Sequence, residues 1–153
     1  MFRIVFAVLF LFFSSSFCNE IFGRVVKIAD GDTITILTND NNQIRVRLFG
    51  IDAPETKQAF SKKSKEFLSG LIAGKDVLVK FSKKDRYGRI LGIVYHNKTD
   101  INEQMVLNGY AWAYLYYSKE YEKQMRRAKQ QKLGLWQDKN PTEPYIFRKK
   151  LKK

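Results

Sequence analysis

The segment Gln43–Phe49 alternates strictly and then breaks at a glycine. Ile44, Val46 and Leu48 fall on one side of an extended chain, and Arg45, Arg47 and Phe49 fall on the other. Gly50 follows, and then Ile51-Asp52-Ala53-Pro54-Glu55-Thr56. A strand with one aliphatic face lays that face on a core. Arg47 is therefore left on the opposite face, close to where the strand runs out into a loop bearing two acids. Pro54 stiffens that loop and disfavours a helical conformation at Ala53.

The flanking sequence builds β-structure around this strand. Ile21–Ala29 reads as a first strand, with Val25, Val26 and Ile28 apolar. Thr33–Leu37 reads as a second, with Ile34 and Ile36 set against threonines, and the turn cluster Asn39–Asn42 joins it to the third. Phe60, Ser64, Phe67, Leu68, Leu71 and Ile72 recur at helical spacing up to Gly74. Val77–Phe81 and Ile90–Tyr95 are two more strands. Asp100-Ile101-Asn102-Glu103 is a capping box that opens a short helix ending at Gly109. Ser118 is expected to cap a last helix running to about Lys132, with Tyr121, Met125 and Ala128 inward. Strands early and helices later suit an α+β fold built on a small Greek-key barrel, for which the OB-fold is the natural candidate.

Charge narrows the partner. The net charge is +13, from 28 Lys+Arg against 15 Asp+Glu. That excess points first to nucleic acid and second to an anionic membrane surface. A membrane-active protein would need a basic amphipathic helix with a clean apolar face, which the sequence lacks. Residues 1–18 stand apart: Arg3, the apolar run Ile4–Phe13 and then three serines read as a secretory signal, too short to span a bilayer comfortably. Export to the periplasm or the medium is the expectation, with membrane contact only in transit. Cys18 is the one cysteine, so no intramolecular disulfide can form. Residues 19–137 form the expected domain. Residues 138–153, with Pro141, Pro144 and the run Arg148-Lys149-Lys150-Leu151-Lys152-Lys153, read as an extended arm, either contacting phosphates or simply solvated.

Asp30-Gly31-Asp32-Thr33 lies upstream of the Arg47 strand and Asp85-Arg86-Tyr87-Gly88-Arg89 lies downstream. Acids at strand ends supply oxygen ligands to hard cations, and guanidinium forks match phosphate oxygens. These are the parts that phosphodiester hydrolysis needs. His96 is the sole histidine, which excludes a two-histidine ribonuclease mechanism.

The three segments, in this order, resemble the staphylococcal nuclease (thermonuclease) family, from about Phe22 to Trp136. The resemblance implies a five-stranded OB-fold barrel with three α-helices and a calcium-dependent nuclease acting on DNA and RNA, which leaves 3′-phosphate ends. It further implies Asp32, Asp52 and the main-chain carbonyl of Ala53 as calcium ligands, Glu55 as general base, and Arg47 and Arg89 on the scissile phosphate. Relatives often carry threonine where Ala53 stands, so side-chain support for that ligand is missing here. Asp30 reads as turn-forming or supporting, and Arg45 and Arg86 as solvated or steering. Tyr87, Tyr114, Tyr116 and Tyr117 are candidates for base stacking or phosphate contact, or for packing. The rival reading is a catalytically silent OB-fold nucleic-acid binder, which would have no use for Glu55. Nothing implies a stable protein partner, and a monomer is expected.

Overall fold

The structure is a computed structural model that describes residues 19–152. The signal reading of residues 1–18 lies outside the described residues. Five strands make the barrel: β1 (Asn19–Ile28), β2 (Thr33–Leu37), β3 (Gln43–Leu48), β5 (Asp76–Lys84) and β6 (Ile90–His96). Between them come a two-residue strand β4 (Ile51–Asp52) and helix α1 (Ser61–Ile72). The sheet runs β3-β2-β1-β5-β6 with antiparallel neighbours and closes through a parallel β3–β6 pairing, in which Val46, Arg47 and Leu48 face Ile90, Leu91 and Gly92. That closure is the OB-fold arrangement, and it leaves none of these five strands as a free edge. Gly92 sits at the seam because a Cβ there would lie 2.5 Å from the Val79 side chain.

The alternation read from the sequence sets the core. Val46 and Leu48 are buried with Val25, Ile34, Ile36, Val79 and Val94. Val26 is exposed because a bulge between Val25 and Lys27 turns it outward. A short strand β7 (Thr99–Asp100) leads into α2 (Ile101–Leu107). Its cap forms as the sequence predicts, with the Asp100 side chain accepting from the Glu103 N–H at 2.9 Å. Strand β8 (Trp112–Ala113) pairs with β4. Helix α3 (Glu122–Gln130) starts three residues later than expected, with Tyr121 rather than Ser118 at its cap position. Ser118 caps only a turn, accepting from the Glu120 N–H at 3.1 Å. Tyr121, Met125 and Ala128 are inward as expected.

The expectation of three helices and an extended arm is corrected. A fourth helix, α4 (Pro144–Lys150), follows a 3-10 turn at Gly134–Gln137. Pro144 takes the first helical turn, where its missing N–H costs nothing. Arg148, Lys149 and Lys150 occupy the last turn, where cations favour the helix dipole. Two prolines and a charge run mask a helix this short in the sequence. Tertiary contacts stabilise it: Pro144 is buried, and Gln58 Nε2 donates to the Thr142 carbonyl.

Candidate active site

The β2–β3 hairpin brings the first two motifs together. Thr33 pairs with Arg47 across the ladder, so Asp32 comes to lie beside the Arg47 side chain. The Leu48 N–H donates to the Asp32 carbonyl at 2.8 Å and ties the two strand ends. Asp30 is the turn former: its Oδ1 accepts from the Asp32 N–H at 3.0 Å. Gly31 lets this turn press on α1, since a Cβ there would stand 2.0 Å from Ser64 Oγ and 2.8 Å from Ala53 Cβ. Asn102, fully buried on α2, donates to the carbonyls of Phe49 and Gly92 at 2.9 and 3.1 Å and accepts from the Val94 N–H. It thereby fixes the turn that delivers Asp52.

Arg47 is the hub. Its Nη2 lies 3.1 Å from both Asp32 Oδ2 and Asp52 Oδ1, and its Nη1 donates to the carbonyls of Leu48 and Ile51 at 2.8 and 2.9 Å. Asp32 Oδ2 also accepts from the Ala53 N–H at 2.7 Å, which locks the acid loop onto the DGDT turn. Burial pushes the Asp32 carboxyl up to about 7, against the pull of Arg47, and the Asp30 and Asp52 charges add to the rise. Burial raises the Asp52 carboxyl too, opposed by its bonds to arginine.

Arg47, Glu55 and Arg89 line one cleft of about 960 Å³. Asp85 organises the Arg89 turn: it accepts from the N–H groups of Tyr87 and Arg89 and from Arg89 Nε at 2.8 Å. Burial opposes charge on Asp85, but the bonds from Arg89 and Tyr87 hold its carboxyl below the usual range. Gly88, at φ +74°, makes the turn possible. Arg86 is exposed and lies over the Tyr87 ring at 4.9 Å. His96 is remote from the cleft, with Nδ1 against the Asp76 carbonyl.

Three contributors escape a reading of the sequence. Arg148, from α4, places Nη1 and Nη2 each 3.0 Å from the two oxygens of Asp52, and Nη1 also reaches Glu55 Oε1 at 2.6 Å. Burial works against the Arg148 charge, but these bonds raise its pKa. Gln58 links the tail to the acid loop a second time. Its Oε1 accepts from the Glu55 N–H at 3.1 Å while its Nε2 donates to Thr142. Tyr145 joins Tyr114, Tyr116 and Tyr117 in an aromatic rim, with ring centres 4.4 Å apart for Tyr116 and Tyr145. Lys149 stacks on Tyr145, and Lys149 and Lys152 line the cleft beside Lys83 and Arg86. Of these, the sequence marked only Arg148, and only as one member of a basic run.

The donor set suits a hard cation. Asp32 and Asp52 offer oxygen alone and share one guanidinium nitrogen, and burial disfavours both as bare anions. Among the described residues no three His, Cys, Asp or Glu side chains gather as a metal cluster. A third ligand would therefore be main-chain oxygen, as at Ala53.

Residues 45–138 match the staphylococcal nuclease homologue family. This chain belongs to that family. An uncharacterized endonuclease of Haemophilus influenzae is 50% identical over 131 residues, covering 84% of this chain and 74% of its own length. An uncharacterized endonuclease of Escherichia coli is 43% identical over 92% of this chain and 94% of its own length. A micrococcal nuclease of Shigella flexneri is 46% identical over 83% of this chain and 80% of its own length. The family match ends at residue 138, so the tail helix that supplies Arg148 lies beyond it.

Proposed function

We propose that this protein is a nuclease that hydrolyses phosphodiester bonds of DNA and RNA with calcium as its cofactor, and that it acts outside the cytoplasm. One observation carries the reading: Arg47 and Glu55 of one segment and Arg89 of another line a single basic cleft, and Arg47 joins it to the buried Asp32–Asp52 pair. Family membership supports the nuclease class. A silent nucleic-acid binder would gain nothing from a carboxylate in a cleft meant for phosphates.

Each residue has a task that its position suits. Glu55, half-exposed on a loop stiffened by Pro54, takes the proton of the attacking water. Arg89 is held by Asp85 through Nε, which leaves its terminal nitrogens for the phosphate, whereas the Arg47 terminal nitrogens serve Asp32, Asp52 and two carbonyls, so Arg47 brings Nε and its charge. The Arg89 fork and the Arg47 charge stabilise the negative charge that builds on the equatorial oxygens as the 5′-oxygen leaves, giving 3′-phosphate ends. When bound by Asp32, Asp52 and the Ala53 carbonyl, calcium would supply Lewis-acid polarisation of a phosphoryl oxygen. The exposed Tyr87 and the Tyr114–Tyr117 rim offer faces on which unpaired bases can stack. The Ile4–Phe13 run would direct export.

The test is direct. Purified protein is incubated with plasmid DNA and, separately, with structured RNA, in calcium, in magnesium or in excess chelator. Cleavage of both in calcium, weaker cleavage in magnesium and none in chelator is expected. Undiminished cleavage in chelator would overturn the cation assignment, and no cleavage of either polymer in calcium would overturn the enzyme.

A further inference from the structure

The tail helix puts a guanidinium on the very oxygens that a cation would use. Arg148 covers both oxygens of Asp52 and one of Glu55. Asp52 side-chain exposure is only 2%, so solvent does not compete for those oxygens. Carboxylate oxygens must approach a calcium ion to 2.3–2.6 Å. A bidentate guanidinium on the same carboxylate opposes that by occupying its lone pairs and by charge repulsion at close range. In the free protein, Asp32, Asp52 and Glu55 face only Arg47 and Arg148, one positive charge short. A divalent cation makes Arg148 surplus among the carboxylates, and an arriving phosphate diester makes it useful again. Lys149 and Lys152 of the same segment already line the cleft.

We infer that Arg148 is a substrate-binding residue held in reserve. It neutralises Asp52 and Glu55 in the free protein, leaves them when a divalent cation binds, and then contacts substrate phosphate. This rests on the calcium reading above. Its displacement also frees Glu55 to meet a water, which couples cation and substrate binding to the readiness of the base. Helix α4 is anchored independently by Pro144 and by the Gln58–Thr142 bond, so Arg148 can leave Asp52 without the helix undocking.

The proposal predicts effects of opposite sign from one substitution. Arg148→Gln keeps hydrogen-bonding capacity and removes the charge. Calcium affinity is measured by calorimetry without nucleic acid. Affinity for a fluorescent phosphorothioate oligothymidylate is then measured by anisotropy in saturating calcium. Calcium should bind about tenfold or more tightly to the variant, while the oligonucleotide should bind about tenfold more weakly. Lys149→Gln, which removes the same charge from the adjacent position, should leave calcium affinity unchanged. Far-UV circular dichroism and the unfolding midpoint check that the variant is folded, and Arg148→Lys gives a second reading should it not be. If calcium binding is unchanged or weaker in a folded variant, Arg148 does not compete with the cation. If both ligands bind more tightly, Arg148 is a latch with no part in substrate binding. If the unaltered protein binds no calcium, the cation reading falls and this proposal with it.

Discussion

Arg47 and Asp52 meet at 3.1 Å with little solvent around them, the arginine side chain 14% exposed and the aspartate 2%. The same Arg47 nitrogen serves Asp32. Removing one member of a buried ion pair strands the other, at a cost of about 3–5 kcal/mol. Arg47→Met should therefore lower stability by about 3 kcal/mol as well as disabling catalysis. Urea unfolding of the two proteins measures it, and an unchanged midpoint would mean that Arg47 serves the substrate alone.

Asp85 predicts a pH dependence. Its carboxyl is held below the ordinary value of 3.8: burial opposes charge there, but the bonds from Arg89 and Tyr87 prevail. A folded-state value below the unfolded one means stability that is fully present above about pH 4 and lost as pH falls through the folded value. Asp85→Asn should thus be less stable than the unaltered protein at pH 7, and the gap should close towards pH 3. A gap in melting temperature that stays constant across that range would contradict the ion-pair account.

Arg89 and Arg86 flank the same turn and differ in fixation. Arg89 is pinned by Asp85, whereas Arg86 is exposed. Lysine keeps the charge of either but cannot present two parallel donors. Arg89→Lys should cost about 100-fold or more in the single-turnover rate with little change in the salt dependence of binding. Arg86→Lys should cost little. Equal losses, or an Arg89→Lys defect confined to affinity, would place Arg89 merely in the basic surface.

What could be read from the sequence followed from local rules. The alternation through Val46 and Leu48 gave the barrel strand and put Arg47 on its outer face. The acids of the DGDT segment declared themselves by their turn and the Asp100 cap by its spacing, whereas the hold of Asp85 on Arg89 shows only in the fold. The residues that escaped depend on contacts made across the chain. Asn102 looks like part of a capping box, yet its side chain bridges the turn after β3 to β6. Gln58 and Arg148 gain meaning only once α4 docks on the acid loop. Arg148 is one of five closely spaced basic residues, and nothing in composition separates it from Lys149 or Lys150.

The central claim is that Glu55 is the base. Glu55→Gln keeps the size of the side chain and an acceptor for Arg148 while removing the proton acceptor. Single-turnover cleavage of a labelled oligonucleotide in saturating calcium, with nucleotide affinity measured alongside, is the decisive comparison. The account predicts a rate loss of about 10²–10⁴-fold with affinity nearly unchanged. Near-full turnover at neutral pH in the variant would contradict it.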